Sequence, residues 1–304
     1  MGVLEAVGNT PLVEIGKINP LRDKVRVLAK LEGANPCGSV KDRIAVKMVR
    51  MGIESGQLTP DKTVLEATSG NTGIGLAMVC AALGYRLVLC MPECVSMERR
   101  SVLNALSAEI VLTPSEQGTD GAIQKALEIM EQAPDRYYMP NQFENPYNFL
   151  AHYETTGPEV WAQTKGEVSA FVAGMGTTGT LMGVSRFLKE QDAKIEVIGV
   201  EPMEGHHIQG LKNMKESKCP GIYNTSRLDE LIYANDDQAF EMARELAVKE
   251  GLFVGMSSGA ALHGALTLAR DMPAGSTVVT LFPDRGDRYL STHLFASVCA
   301  KCPP

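Results

Sequence analysis

The chain has 304 residues, a formal net charge of −7 and a composition that is 44% hydrophobic and 21% charged. That length and balance suit one large or two medium folded domains and exclude a disordered chain. An acidic chain without a Lys/Arg run has no footprint for nucleic acid or an anionic membrane, and no apolar run reaches the roughly 20 residues that span a bilayer.

In chain order, short β-branched runs alternate with helix-spaced segments. Residues 25–31 read as a strand, and the turn Asn35-Pro36-Cys37-Gly38 hands over to a helix running to about residue 55. In that helix Ile44 and Met48, and Ala45 and Val49, recur four apart, and Ser39 reads as its N-cap. Lys41 therefore falls in the first turn, where the helix dipole favours an anion such as Asp42. A solvated lysine gains nothing there, whereas a lysine held as a neutral imine escapes the penalty.

Residues 64–67 form the next strand, which leads through Thr68-Ser69-Gly70-Asn71-Thr72-Gly73 into a helix ending at Gly84. Strands follow at 87–92 and 109–112, with Ser96 capping the helix between them. A helix at 121–131 and a short strand at 137–139 close this half. The same grammar resumes with a strand at 170–173, a glycine-rich turn and a helix to Glu190. Strands at 195–200 and 277–282 and a helix at 238–250 complete the pattern.

This alternation predicts an α/β fold of two domains, each a parallel-rich sheet flanked by helices. The boundary is placed near Asn145-Pro146, giving domains 1–146 and 147–304, with residues about 13–34 packing with the second. Parallel sheets bind ligands beyond the carboxyl ends of their strands, so a ligand is expected where the unusual turns collect.

The turn Gly174-Met175-Gly176-Thr177-Thr178-Gly179-Thr180 has glycines that admit an anion to the backbone, and hydroxyls beside a helix N-terminus, the ingredients of a phosphate cup. It also spells G-x-G-x-x-G, and Glu201 follows the next strand at the distance of a dinucleotide fold's ribose acid, which keeps a nicotinamide-dependent oxidoreductase open. The turn at 68–73 offers small hydroxyl and amide donors suited to a carboxylate, and Asn71 reaches a polar ring substituent of a cofactor. A phosphorylated aldehyde that captures a lysine uses all three turns, and a nicotinamide enzyme has no need of the lysine turn. A third class, a catalytically silent ligand-binding protein, keeps the same residues.

Gly38-Ser39-Val40-Lys41-Asp42-Arg43, Thr68-Ser69-Gly70-Asn71-Thr72-Gly73 and Gly176-Thr177-Thr178-Gly179-Thr180 together resemble the cysteine synthase (O-acetylserine sulfhydrylase) family of fold type II pyridoxal-phosphate enzymes. The likeness extends to Gly8-Asn9-Thr10-Pro11-Leu12, Gln142-Phe143, Gly255-Met256-Ser257-Ser258-Gly259 and Asp287-Arg288-Tyr289-Leu290-Ser291. Met175 and Glu116-Gln117-Gly118 bring it nearest the cysteine synthase B branch. Cystathionine β-synthase belongs to the same group, but the chain has no room for the regulatory domains it often carries.

The resemblance implies pyridoxal 5'-phosphate as cofactor and Lys41 as its Schiff-base lysine. It implies Asn71 at the ring hydroxyl, Gly176, Thr177, Thr178, Gly179 and Thr180 around the phosphate, and Ser257 at the pyridine nitrogen. Thr68, Ser69, Thr72 and Gln142 are implied to hold the substrate carboxylate. The implied reaction is β-replacement through an aminoacrylate, making L-cysteine from O-acetyl-L-serine and sulfide. O-phosphoserine and thiosulfate are alternative substrates, and Lys212, in the substrate-facing stretch 205–214, is the cation expected to favour a phosphate leaving group. A homodimer in the cytoplasm is also expected.

No metal site is expected. The five histidines, His152, His206, His207, His263 and His293, have no ligand spacing and are assigned polar or helix-end roles. The seven cysteines read as reduced thiols, and the lone Cys299-Ala300-Lys301-Cys302 pair enters no mechanism.

Overall fold

A computed structural model of the chain describes residues 2–68 and 70–295. In chain order the elements are β1 (Leu12–Glu14), β2 (Arg26–Leu31), α1 (Lys41–Glu54), β3 (Thr63–Ala67), α2 (Asn71–Leu83), β4 (Arg86–Pro92), α3 (Met97–Ala105), β5 (Glu109–Thr113), α4 (Gly118–Gln132) and β6 (Tyr137–Tyr138). They continue with α5 (Pro146–Ala151), α6 (Gly157–Gln163), β7 (Ala170–Gly174), α7 (Gly179–Gln191), β8 (Glu196–Pro202), β9 (Glu230–Ala234), α8 (Asp236–Glu245), α9 (Met256–Ala269) and β10 (Thr277–Phe282). One turn of π-helix, His152–Thr156, joins α5 to α6.

The chain divides into two compact units. The first takes in the residues up to Val7 and from Asn35 to Asn148, and the second Gly8–Ala34 with the chain from Phe149 onward. The expectation that residues about 13–34 pack with the second domain agrees with this division, in which the second unit takes in residues 8–34. The reason is pairing, since β2 runs parallel to β10 in register from Arg26 opposite Thr277 to Leu31 opposite Phe282. Lys30, fully buried on β2, adds a polar anchor: its ammonium meets Glu159 of α6 at 2.8 Å, the Thr10 carbonyl at 2.7 Å and Gln163 Oε1 at 2.9 Å. A buried cation is tolerated only with such a set of acceptors.

The first unit holds a four-stranded, all-parallel sheet in the order β5-β4-β3-β6. Val64 of β3 and Leu87, Leu89 and Met91 of β4 face α1 and α2, while Leu65, Ala67, Val88 and Cys90 face α4. Helix α2 is buried continuously from Thr72 to Cys80, so it is apolar all round rather than striped. The second unit holds a six-stranded sheet in the order β1-β2-β10-β7-β8-β9, parallel except for the edge pair β1–β2. Helices α8 and α9 pack with Val172, Val200 and Val278 in its core.

Candidate active site

Each unit carries its own set of polar residues at the carboxyl end of its sheet. In the first, Lys41 opens α1 and is half-buried. Val40 occupies the N-cap position without a side-chain cap bond, while Ser39, just before it, accepts the Lys41 N–H at Oγ, 3.3 Å away, as a capping side chain does. The buried Asp42 carboxylate turns back to accept the Cys37 N–H at 2.6 Å. An anion in the first turn thus complements the helix dipole and fixes the loop that delivers Lys41. Helix α2 packs against α1 so closely that a Cβ at Gly75 would stand 3.1 Å from the Lys41 carbonyl oxygen.

The turn between β3 and α2 is organised by its own side chains. Thr68 Oγ1 accepts the Gly70 N–H at 3.1 Å, Asn71 is half-buried at the first position of α2, and Thr72 donates to Gln142 Oε1 at 2.6 Å. That bond orients the Gln142 amide. Its Nε2 donates to the Ala67 carbonyl at 3.3 Å, which leaves a second N–H on the same nitrogen. Asn148 Nδ2 holds the Gln142 carbonyl at 2.6 Å. The structure therefore joins Thr72 and Gln142 in one buried hydrogen-bonded pair tied to Ala67, next to the Thr68 turn, a suitable seat for a carboxylate. Ser69 lies outside the described residues, as do Cys299 and Cys302.

In the second unit, residues 174–180 run from the end of β7 into α7. Thr178 is the N-cap in the left-handed region (φ 66°), and its hydroxyl is buried without a hydrogen-bond partner. A desolvated hydroxyl of that kind costs free energy unless a ligand meets it. Gly176 packs on the segment at 208–212: a Cβ there would lie 2.5 Å from the Gly210 carbonyl oxygen, so only glycine fits. The Lys212 N–H donates to the Met175 carbonyl at 2.7 Å, which seats Lys212 beside the turn. Ser257 is buried at the start of α9, its Oγ 3.9 Å from a Cβ built on Gly210. Gly176, Gly210, Lys212 and Ser257 are thus neighbours in one unit.

Three further residues had no site role assigned from the sequence, although His152 was read as polar and Gly210 lies in the stretch 205–214. His152, fully buried, places Nδ1 2.9 Å from Thr156 Oγ1 and Nε2 3.3 Å from Thr180 Oγ1, and so steadies a hydroxyl of the phosphate turn. The buried Arg99 guanidinium lies 3.7 Å from a Cβ built on Gly70, bringing a cation to the carboxylate turn where none was expected. Gly210 works through tertiary contact alone. No local signal marks His152 or Arg99 for these contacts. Glu201, the ribose acid of the dinucleotide alternative, instead accepts the Met214 N–H at 2.7 Å and pins the 205–216 segment. Among the described residues no three His, Cys, Asp or Glu side chains form a metal cluster.

The pyridoxal-phosphate dependent enzyme family matches residues 3–284. The chain belongs to that family. Within it, cysteine synthase B of Salmonella typhimurium is 47% identical over 296 residues, 97% of this chain and 96% of that protein, so the chain is a member of the cysteine synthase group. Among solved structures, the cysteine synthase of Entamoeba histolytica has a TM-score of 0.91 at 39% identity, covering 97% of this chain and 90% of that one. An O-ureido-L-serine synthase has a TM-score of 0.92 at 38% identity, covering 97% and 95%.

The residues present fit the family's cofactor. The unpartnered Thr178 hydroxyl and the glycine-lined N-terminus of a 13-residue helix suit its phosphate. The amine at Lys41 suits its aldehyde.

Proposed function

We propose that the chain makes L-cysteine from O-acetyl-L-serine and sulfide by replacing the acetoxy group on the β-carbon. The buried Thr72–Gln142 pair beside the Thr68 turn, in the same unit as Lys41, carries the reading, because the second N–H of the Gln142 amide can meet a substrate carboxylate. The 47% identity to a cysteine synthase B supports it over nearly the whole chain. The O-ureido-L-serine synthase is named for a different serine derivative, so shape alone does not choose the substrate.

When bound, pyridoxal phosphate supplies the electron sink that lets an amino acid lose its α-proton and then its β-substituent. Lys41 is the lysine tied to it and the base that takes the α-proton. Gly176, Thr177, Thr178, Gly179 and Thr180 hold its phosphate and Asn71 its ring hydroxyl. Ser257 meets its ring nitrogen with a neutral hydroxyl. Lacking a carboxylate's preference for a charged pyridinium, that contact favours elimination over racemisation or transamination. Thr68, Ser69, Thr72 and Gln142 hold the substrate carboxylate. Acetate departs with the bonding electron pair, sulfide sulfur bonds the β-carbon, and the α-carbon regains a proton from Lys41.

The proposal includes a homodimer in the cytoplasm, on the strength of the resemblance. No helix among the described residues is long and apolar enough to cross a membrane. Assay of both serine esters with sulfide and with thiosulfate tests the chemistry, and no cysteine from any pairing contradicts it. The same assay tests Lys212, which the Met175 contact holds beside the phosphate turn. Lys212→Ala is expected to lower kcat/KM for O-phosphoserine about tenfold, the worth of one charge-assisted contact, and to leave O-acetylserine within about twofold. Equal loss on both esters, or on neither, removes Lys212 from leaving-group recognition.

A further inference from the structure

Glu66 lies on β3 two residues before Thr68 and is 2% exposed. Strand alternation puts it with Val64 on the sheet face covered by α1 and α2, among Leu89, Val49, Ile74 and Tyr138. A carboxyl in such a core is costly as an anion. Its Oε1 accepts the Ala67 N–H at 3.1 Å, while Oε2 is buried with no hydrogen-bond partner. The main-chain N–H groups of Ala67, Gln142 and Asn141 face the carboxyl and favour ionisation, but burial prevails and pushes its pKa up to about 8. At neutral pH Glu66 is therefore mostly the uncharged acid.

Its contacts are those of the carboxylate seat. Ala67 gives its N–H to Glu66 and its carbonyl to Gln142, whose side chain takes the Thr72 hydroxyl. The acid thus sits under both strands of the network, the end of β3 and the 141–142 loop. An anion in the same place would oppose any carboxylate bound above it.

We propose that Glu66 is a positioning residue that acts in its protonated form: the neutral acid seats the Thr68 turn and the Gln142 loop, and its ionisation weakens binding of an amino-acid carboxylate there. The inference rests on the reading of Thr68, Thr72 and Gln142 as the carboxylate site. By linkage, the substrate anion and the Glu66 proton strengthen each other's binding.

Other ionisable groups face Glu66 or its strand. Burial first, with the Glu66 charge adding to it, pushes Cys90 of β4 to about 11 and Tyr138 of β6 to about 12. Lys125 and Glu128 of α4 act on Cys90 from the opposite sheet face. The first turn of α1 brings Lys41 with the buried Asp42 and Arg43, and α3 brings Arg99 to the turn.

The test is the affinity of the holoenzyme for L-serine, read from cofactor absorbance between pH 6.5 and about 9, for wild type, Glu66→Gln and Glu66→Leu. The titrations of the amino acid and the cofactor are common to all three proteins, so ratios between them isolate Glu66. Relative to Glu66→Gln, wild type is expected to weaken about tenfold as pH rises through about 8. Glu66→Leu is expected to lack that limb and to bind more weakly at every pH. If L-serine changes the absorbance of none of them, the proposed function fails; if it binds all three with parallel pH profiles, the role of Glu66 fails.

Folding gives a second readout, independent of substrate. A carboxyl raised from 4.5 to about 8 contributes stability that is complete below about 4.5 and is lost as pH rises to about 8. The melting temperature of wild type should therefore fall relative to Glu66→Gln across that window and keep a constant difference above it. A constant difference across the whole range overturns the titration.

Discussion

Lys41→Ala is expected to reduce cysteine formation from O-acetylserine by about 10⁴-fold or more, with the yellow colour of the covalently tied cofactor lost and the fold retained. The substitution removes two functions at once, the covalent anchor and the base at the α-carbon, and a positioned base alone is worth about 10²–10⁴-fold. The fold should survive because the loop is fixed by Asp42 on the Cys37 N–H and by Ser39 on the Lys41 N–H, neither of which needs the lysine side chain. Steady-state assay beside far-ultraviolet circular dichroism and a melting curve checks it. A variant that retains more than about a hundredth of the activity would place the base elsewhere.

Gly259→Ala is expected to cost about 3 kcal/mol of stability or more. A Cβ at Gly259 would lie 1.9 Å from the Ala239 carbonyl oxygen and 2.8 Å from the Ala243 nitrogen, both backbone atoms of α8 that no rotamer change moves. The helices must separate, and the shift reaches Ser257 two residues earlier in α9. Urea unfolding of the variant against Gly16→Ala provides the comparison, since a Cβ at Gly16 meets nothing within 4 Å and should change stability by less than about 0.5 kcal/mol. Equal midpoints for the two variants would contradict the close helix crossing.

The Gly255-Met256-Ser257-Ser258-Gly259 stretch shows how much a sequence can reveal. Its likeness to a cofactor motif was legible, but the helix that carries it was not, because residues 256–262 of α9 are all buried and give no amphipathic period. The central strands were read closely, for a parallel strand covered on both faces is a continuous β-branched run. The edge strands β1 and β9 escaped: one has three residues, and the other, Glu230–Ala234, is a short run whose apolar residues 231–233 do not alternate with polar ones. Helices α5 and α6 escaped because Pro146 and Gly157-Pro158 break the pattern around a π-helical turn.

At the candidate site, the glycine and hydroxyl turns were legible because backbone chemistry demands those residue types locally. Glu66, His152, Arg99 and Gly210 meet neighbours distant in sequence, which their own segments do not identify, although Gly210 lies in the stretch 205–214 that the resemblance marks. The segment at 8–34, expected from about residue 13 to pack with the second domain, is held there by a register with β10 some 250 residues away.

The central claim is that Lys41 holds the cofactor through a covalent link. Borohydride reduction of the pyridoxal-phosphate-loaded protein, followed by digestion and peptide mapping, tests it most directly. The account predicts one stable pyridoxyl adduct, on the peptide containing Lys41. An adduct on another lysine, or none on a protein that has bound the cofactor, would contradict it.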